Sequence, residues 1–348
     1  MKKIKVGVLM GGPSSEREVS LVTGKAVFDN LDRKKYAPAV VEMKKDGTFW
    51  LHKKPARPNG IGHSGGRKLD LQNKDRNLFD IIFIAMHGSP GEDGGVQGML
   101  ETLNIKYTGP GVLASALAMN KVFSAQIYFA NNLPYPKFIH FKYDGWKRES
   151  AQITEEINNI GFPIVIKPVS EGSAVGVSIV KSNNGLKKAI DKIIKKFPWL
   201  MAQKFVAGQE ATCGVLEKNG TIMALPPTHI LPKMGEFYDY KSKYKTGGST
   251  HICPADFDEQ INLEIQKLAV QAHKALGCRG MSRTDIFVGD DPDTRVAGAT
   301  QYGAGKKLYI LETNTIPGMT PTSLFPEAAG KAGISFSQML DYIIKTSL

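Results

Sequence analysis

A mainly apolar run over 4–10, interrupted only by Lys5, stops at Gly11-Gly12-Pro13-Ser14-Ser15, and apolar residues resume with helical spacing over 19–31. A short apolar run, a glycine turn and a 3.6-residue period predict a βα unit. Buried strands are expected over 39–43 and 80–86, and the polar, Gly- and Pro-rich stretch 52–77 between them predicts a long surface connection. Helices follow at about 96–103, 111–119 and 121–131. From Pro134 the pattern becomes a compact mixed unit: a strand at 137–141, a helix near 154–160, strands at 163–168 and 175–181, then a helix to about Lys196. Strands 199–206 and 210–217 meet at Gly208. A polar Gly/Tyr/Lys stretch fills 232–250, residues 257–276 form an amphipathic helix, and strands 280–288 and 307–314 precede C-terminal helices. No internal repeat is visible.

At 348 residues, 42% hydrophobic and 22% charged, the chain can bury a large core and is expected to divide into two or three domains of an ordinary soluble enzyme. No apolar run approaches the roughly 18 residues of a membrane span, and the start breaks into glycines too early for a signal peptide. The cytoplasm is the expected address. Cys213, Cys253 and Cys278 match neither a CxxC metal site nor a disulfide framework, so buried reduced thiols are expected. The net charge of +12 and the basic face of Lys187, Lys188, Lys192, Lys195 and Lys196 raise the question of nucleic acid. A solvated helix explains that face more simply, no nucleic-acid-binding signature accompanies it, and an enzyme handling anions also needs positive charge.

In a strand, residues i and i+2 share a face, so Arg283 goes with Asp285, and Glu312 with Asn314. If the two strands pair, four polar groups converge, and Asp, Glu and Asn offer the hard oxygens that Mg²⁺ takes beside nucleotide phosphates. A polar outer face of a hairpin is the plain alternative. The turn Thr315-Ile316-Pro317-Gly318-Met319 after Asn314 suits close approach of backbone to a substrate. Lys167 ends an apolar strand and precedes Glu171-Gly172-Ser173-Ala174-Val175-Gly176, a loop able to lay N–H groups over phosphates, although a strand-end lysine is usually just exposed. No Walker A pattern occurs. The glycine-dense loop 87–98, opened by His87, follows a strand and precedes a helix, the usual place for a site loop in an open α/β sheet. A structural histidine is the alternative there. Gly62-His63-Ser64-Gly65-Gly66 fits a hydrolase nucleophile elbow in letters only, because no buried strand precedes it.

Together these segments resemble the D-alanine-D-alanine ligase family along essentially the whole chain. The motifs are Gly11-Gly12-Pro13-Ser14-Ser15-Glu16-Arg17-Glu18-Val19-Ser20, the loop 87–98, residues 171–176, Phe237-Tyr238-Asp239-Tyr240-Lys241-Ser242-Lys243-Tyr244, and residues 312–319. The resemblance implies an α/β (mixed α+β) fold of three-domain ATP-grasp architecture with an N-terminal open α/β domain: 1–119 for substrate, 120–206 as the central ATP-grasp subdomain, and 207–348 as the C-terminal catalytic domain. It implies ATP, two Mg²⁺ ions with Mn²⁺ as a substitute, D-alanine as substrate, and a homodimer. By position, Lys121 and Lys167 would bind the inner phosphates and Lys243 the γ-phosphate. Glu210 would hold the ribose, with Gln203, Lys204 and Val206 near the adenine. Asp285, Glu312 and Asn314 would hold the metals. Glu16 would anchor the first D-alanine's ammonium beside His87, and Ser173 and Tyr244 would link Glu16 into a closing triad. Arg283 and the Gly318 N–H would form an oxyanion hole, while Ser323 and Leu324 would contact the second substrate. Residues 232–250 would form a lid whose sequence resembles the dipeptide-forming branch. Ala174 and Gln203 depart from the residues frequent in the family, and 289–306 reads as a surface extension.

Overall fold

The computed structural model describes residues 2–54, 66–172, 174–232, 249–289, 306–320 and 322–348. The N-terminal apolar run forms β1 (Ile4–Gly11), buried from Val6 onward. It pairs in parallel with β2 (Tyr36–Met43), and α1 (Arg17–Asn30) makes the crossover. Antiparallel β3 (Phe49–His52) and β4 (Arg67–Lys68) extend one edge, and β5 (Ile81–Ile84) joins β1 on the other, in the order β4-β3-β2-β1-β5. Burial on both faces explains why these central strands read as continuous apolar runs rather than alternating ones.

The stretch 52–77 is not simply a surface connection. Its described part holds the last residue of β3 and all of β4, and His52, Leu69, Leu71 and Asp75 are buried. Arg67 grips Asp75 through two hydrogen bonds, of 2.8 and 2.6 Å, so charge pairing closes a segment whose polar composition hides its packing. Of the hydrolase-like letters at 62–66, all but Gly66 lie outside the described residues.

Three helices follow, α2 (Gly95–Thr102), α3 (Val112–Met119) and α4 (Lys121–Ala130). Asn120 caps α4, its side-chain oxygen accepting from the N–H groups of Val122 and Phe123. The second sheet is antiparallel: β6 (Phe138–Lys142), β7 (Ile164–Pro168), β8 (Ser178–Val180) and β9 (Trp199–Lys204), ordered β6-β9-β7-β8. It is covered by α5 (Tyr143–Ile160) and α6 (Asn183–Ile194). The first of these helices begins well before the expected residue 154. Trp146, Ile153 and Ile157 form its buried face, and a kink at Glu149 (φ −127°) interrupts the period that would have revealed it.

The third sheet comprises β10 (Gly208–Lys218), β11 (Thr221–Ala224), β12 (Thr228–Pro232), β13 (Ser249–Ile252), β14 (Met281–Gly289) and β15 (Lys307–Asn314). Its order is β13-β12-β10-β14-β15, with β11 on β10. So β9 and β10, expected to meet at Gly208, belong to different sheets. A Cβ at Gly208 would lie 2.3 Å from the Val288 carbonyl oxygen, so only glycine lets β10 start its pairing with β14. Neither β11 nor β12 was expected, because Pro226-Pro227 breaks the pattern between them.

Helices α7 (Glu259–Ala275), α8 (Leu324–Lys331) and α9 (Phe336–Lys345) complete the described elements. The chain end returns to the first sheet: Phe325, Met339 and Leu340 share a core with Val8 and Ile84, and Tyr36 donates to Asp341 at 2.7 Å. In the same way, α4 packs Val122 and Tyr128 against the third sheet and α7. These returns bring the ends of all three sheets toward one cleft.

Candidate active site

The two polar strands do pair. β14 and β15 run antiparallel with Arg283 opposite Asn314 and Asp285 opposite Glu312, and residues directly opposite share a face. Arg283 donates to Asp285 through Nε and Nη2, both at 3.1 Å, a fork that fixes the guanidinium plane. Asp285 is buried and also accepts from Thr212 Oγ1 (2.5 Å) and Asn314 Nδ2 (3.3 Å). Glu312 lies 3.4 Å from the Lys121 ammonium.

This face forms one wall of a cavity of about 570 Å³. It gathers Arg283, Glu312, Asn314, Gly318, Ser323 and Leu324 on one side, with Glu16, His87 and Lys121 also lining it. Glu16 stands at the N-terminus of α1, its loop braced by Ser14, which donates to the His87 carbonyl (2.7 Å) and accepts from the Glu16 N–H (3.1 Å). Gly88 has φ +67°, and a Cβ there would come within 3.0 Å of Ser14 and 3.5 Å of the Glu16 carboxylate, so glycine is what lets the two loops meet. His87 is buried, with Nε2 2.9 Å from Thr23 Oγ1 and Nδ1 3.7 Å from Glu92. Gly318 faces Ser323, whose Oγ accepts from the Thr320 N–H at 2.9 Å and lies 2.7 Å from Thr320 Oγ1.

Lys121 and Lys167 are both buried, contrary to the expectation that a strand-end lysine is exposed. Lys121 donates to the Glu171 carbonyl at 2.7 Å and Lys167 to Gln203 Oε1 at 2.8 Å. Burial, together with the neighbouring Lys121, lowers the Lys167 pKa to about 7, a drop that the Glu312 carboxylate only partly opposes. A buried lysine whose charge is suppressed by its lysine neighbour regains that charge when an anion arrives, and that is the fit of this site to a polyphosphate.

Of the other sequence candidates, Gln203 keeps its Nε2 buried without a hydrogen-bond partner, and Lys204 donates to the Gly161 and Phe162 carbonyls at 3.1 and 3.2 Å. Val206 packs on Tyr309 and Phe287. Glu210 sits on β10 between Ile230 and Phe287. Lys167, Gln203, Lys204, Val206, Glu210 and Asp285 do not line the cavity itself. Ser173, Lys243 and Tyr244 lie outside the described residues. Glu171 and Gly172, which open the candidate phosphate loop, do line the cavity, whereas sequence reasoning missed His251 in its wall and Thr212 behind Asp285. Nothing local marks His251 or Thr212, since each is identified only by a partner distant in sequence.

Chemically, the arrangement can clamp an anion on two lysines, present carboxylate and amide oxygens to a hard cation, and aim a fixed guanidinium at a reacting centre. Among the described residues no helix is long and apolar enough to cross a membrane.

The family model "D-ala D-ala ligase N-terminus" matches residues 5–110, and "D-ala D-ala ligase C-terminus" matches 127–345. The chain is 40% identical over 348 residues to the D-alanine–D-alanine ligase of Syntrophobacter fumaroxidans, covering 100% of this chain and 98% of that one. It is 38% identical over 345 residues to that of Carboxydothermus hydrogenoformans, covering 99% and 98%. Among solved structures, the VanG D-Ala:D-Ser ligase from Enterococcus faecalis superposes with a TM-score of 0.83 at 28% identity, covering 100% of both chains. The D-alanine–D-alanine ligase from Bacillus anthracis complexed with ATP gives 0.75 at 29%, covering 99% of this chain and 97% of that one. The three-sheet architecture is that of the ATP-grasp ligases, and with both family models matched in order the chain belongs to the D-Ala-D-Ala ligase family.

Proposed function

We propose that the chain uses ATP to join two D-alanines into D-alanyl-D-alanine, releasing ADP and phosphate, for peptidoglycan precursor synthesis. The observation that carries the reading is the cavity in which the Glu16–His87 loops face the Arg283–Glu312–Asn314 wall, with Lys121 lining it and Lys167 buried behind Lys121. A carboxylate is a poor electrophile, so the first D-alanine must be activated as an acyl phosphate before an amine can displace phosphate. Glu16 receives the first ammonium. Lys121 and Lys167 neutralise the inner phosphates, with Lys243 on the γ-phosphate. Glu210, Gln203, Lys204 and Val206 hold the nucleoside, Glu210 at the ribose. Arg283 and the Gly318 N–H bind the carbonyl oxygen as it becomes anionic, and Ser323 and Leu324 seat the acceptor.

Asp285, Glu312 and Asn314 form an all-oxygen donor set suited to Mg²⁺ or Mn²⁺, provided Asn314 presents its amide oxygen. Bound there, a divalent ion would neutralise charge on the transferring phosphoryl group. The reading further proposes a three-domain division at 119/120 and 206/207, and a homodimer, which light scattering would test. Product masses with D-alanine, D-serine and D-lactate as competing acceptors test the reaction itself: D-alanyl-D-alanine should dominate, and a predominant D-serine or D-lactate product would replace it with the sibling activity.

Lys167 gives a proton-linkage prediction. With its pKa near 7 in the free protein, the lysine is largely uncharged at pH 8. Phosphates placed against it raise that pKa toward the ordinary lysine value, so ATP binding at pH 8 should take up close to one proton and weaken as pH rises above 7. Calorimetry in buffers of different ionisation heat measures the uptake. Binding without it would remove Lys167 from the phosphate site.

A further inference from the structure

The acceptor arrives as an ammonium, which has no lone pair to attack with, so something at the acceptor end of the cavity must take a proton. His251 is placed for this. It sits on β13, one strand past the β10–β14–β15 catalytic wall and β12, and lines the same cavity as Arg283, Gly318, Ser323 and Leu324. Its side chain is 22% exposed, enough to reach a bound molecule while shielded from bulk water. On its other side stands Glu327, one turn along α8 from Ser323 and Leu324, with Oε2 3.6 Å from His251 Nδ1. That separation is longer than a hydrogen bond, as catalytic contacts often are before substrate binds. A carboxylate facing Nδ1 favours the tautomer with hydrogen on Nδ1 and a lone pair on Nε2, the arrangement that orients a general base.

We propose that His251, oriented by Glu327, is the base that takes the proton from the acceptor's ammonium group. The proposal rests on the ligase reading above and deepens it. Imidazole Nε2 accepts one ammonium proton, and the freed amine lone pair forms the C–N bond to the acyl phosphate carbonyl. The C–O bond to phosphate then breaks with its electron pair, and the second nitrogen proton leaves with the phosphate, so the products are amide, hydrogen phosphate and an imidazolium that returns its proton to solvent. Among the described residues, the charged groups facing His251 are Glu327 from α8 and Arg283 from β14, while β12 places the uncharged Ile230 opposite it. Burial and the Arg283 charge hold its pKa below the usual histidine value, outweighing Glu327, so the imidazole is neutral at pH 7 and does not repel an ammonium.

The test compares two nucleophiles in wild type and in His251→Gln. Hydroxylamine is unprotonated at neutral pH and needs no base, so hydroxamate reports the acyl phosphate, whereas dipeptide also requires deprotonation. With the wild type, hydroxamate formation that needs ATP and D-alanine supports the ligase reading, and its absence overturns that reading independently of His251. In His251→Gln the ratio of dipeptide to hydroxamate should fall by about 10²-fold at pH 7, the usual worth of a positioned base. It should recover as pH rises toward the amine's own pKa, and added imidazole should partly restore it. Glu327→Gln, which leaves the imidazole in place, should move the acid limb of the wild-type profile without abolishing it. An unchanged ratio, or a loss that is equal at every pH and indifferent to imidazole, would overturn the assignment and leave His251 as a tie between β13 and α8.

Discussion

Glu312→Gln is expected to lower turnover by about 10³-fold or more while the protein keeps its fold. The substitution preserves shape and removes one negative charge from the face where Glu312 stands opposite Asp285. A divalent ion held there would supply several kcal/mol of charge stabilisation to phosphoryl transfer, and each 1.4 kcal/mol is about tenfold in rate. The fold should tolerate the change because Glu312 is partly exposed to the cavity and its main-chain pairing is untouched. A second readout follows from Lys167. Among the described residues Glu312 is the group that raises that lysine's pKa, so its loss should lower the pKa further and weaken ATP binding near neutral pH. Near-normal turnover at saturating magnesium, with an unchanged circular dichroism spectrum, would remove Glu312 from the metal site.

Arg283→Ala is expected to cost on the order of 10²- to 10³-fold in kcat, the usual loss for one oxyanion donor. The geometry favours this size because Asp285 fixes the guanidinium through two nitrogens, so its orientation exists before the transition state forms. Arg283→Lys should recover little, since a point charge on a flexible stem cannot reproduce the fork to Asp285. Stability should fall as well, because Asp285 is buried and would lose a partner. For that reason kcat must be compared at a temperature where the variant is fully folded. A variant with raised KM and preserved kcat would show that Arg283 binds substrate without stabilising the anion.

Much of this site could be read from the sequence because its chemistry is local. The alternation Arg283, Asp285 and Glu312, Asn314 needs only the two-residue period of a strand, and β14 and β15 deliver the expected juxtaposition. Glu16 and His87 stand out by their glycine-dense loops, and Gly88 shows why glycine is required there. Other features depend on distant partners. Lys167 looked exposed because a strand end carries no record of what packs over it, and in the fold it is buried against Gln203. His251 carries no motif, and becomes a candidate only when α8 brings Glu327 beside it. The first half of α5 was lost to a kink, and the apparent β9–β10 hairpin was separated into two sheets because adjacency in sequence says nothing about which sheet a strand joins. Likewise, the cores that join α4 to the third sheet and α9 to the first are long-range packing that local pattern does not encode.

The most direct test of the central claim is ADP release from ATP with D-alanine or L-alanine as the sole amino acid, with the product identified by mass. D-alanine should give ADP and D-alanyl-D-alanine in equal amounts, while L-alanine should give neither above background. ADP release that ignores the amino acid's configuration, or proceeds without dipeptide, would contradict the assignment of this cavity to D-alanine ligation.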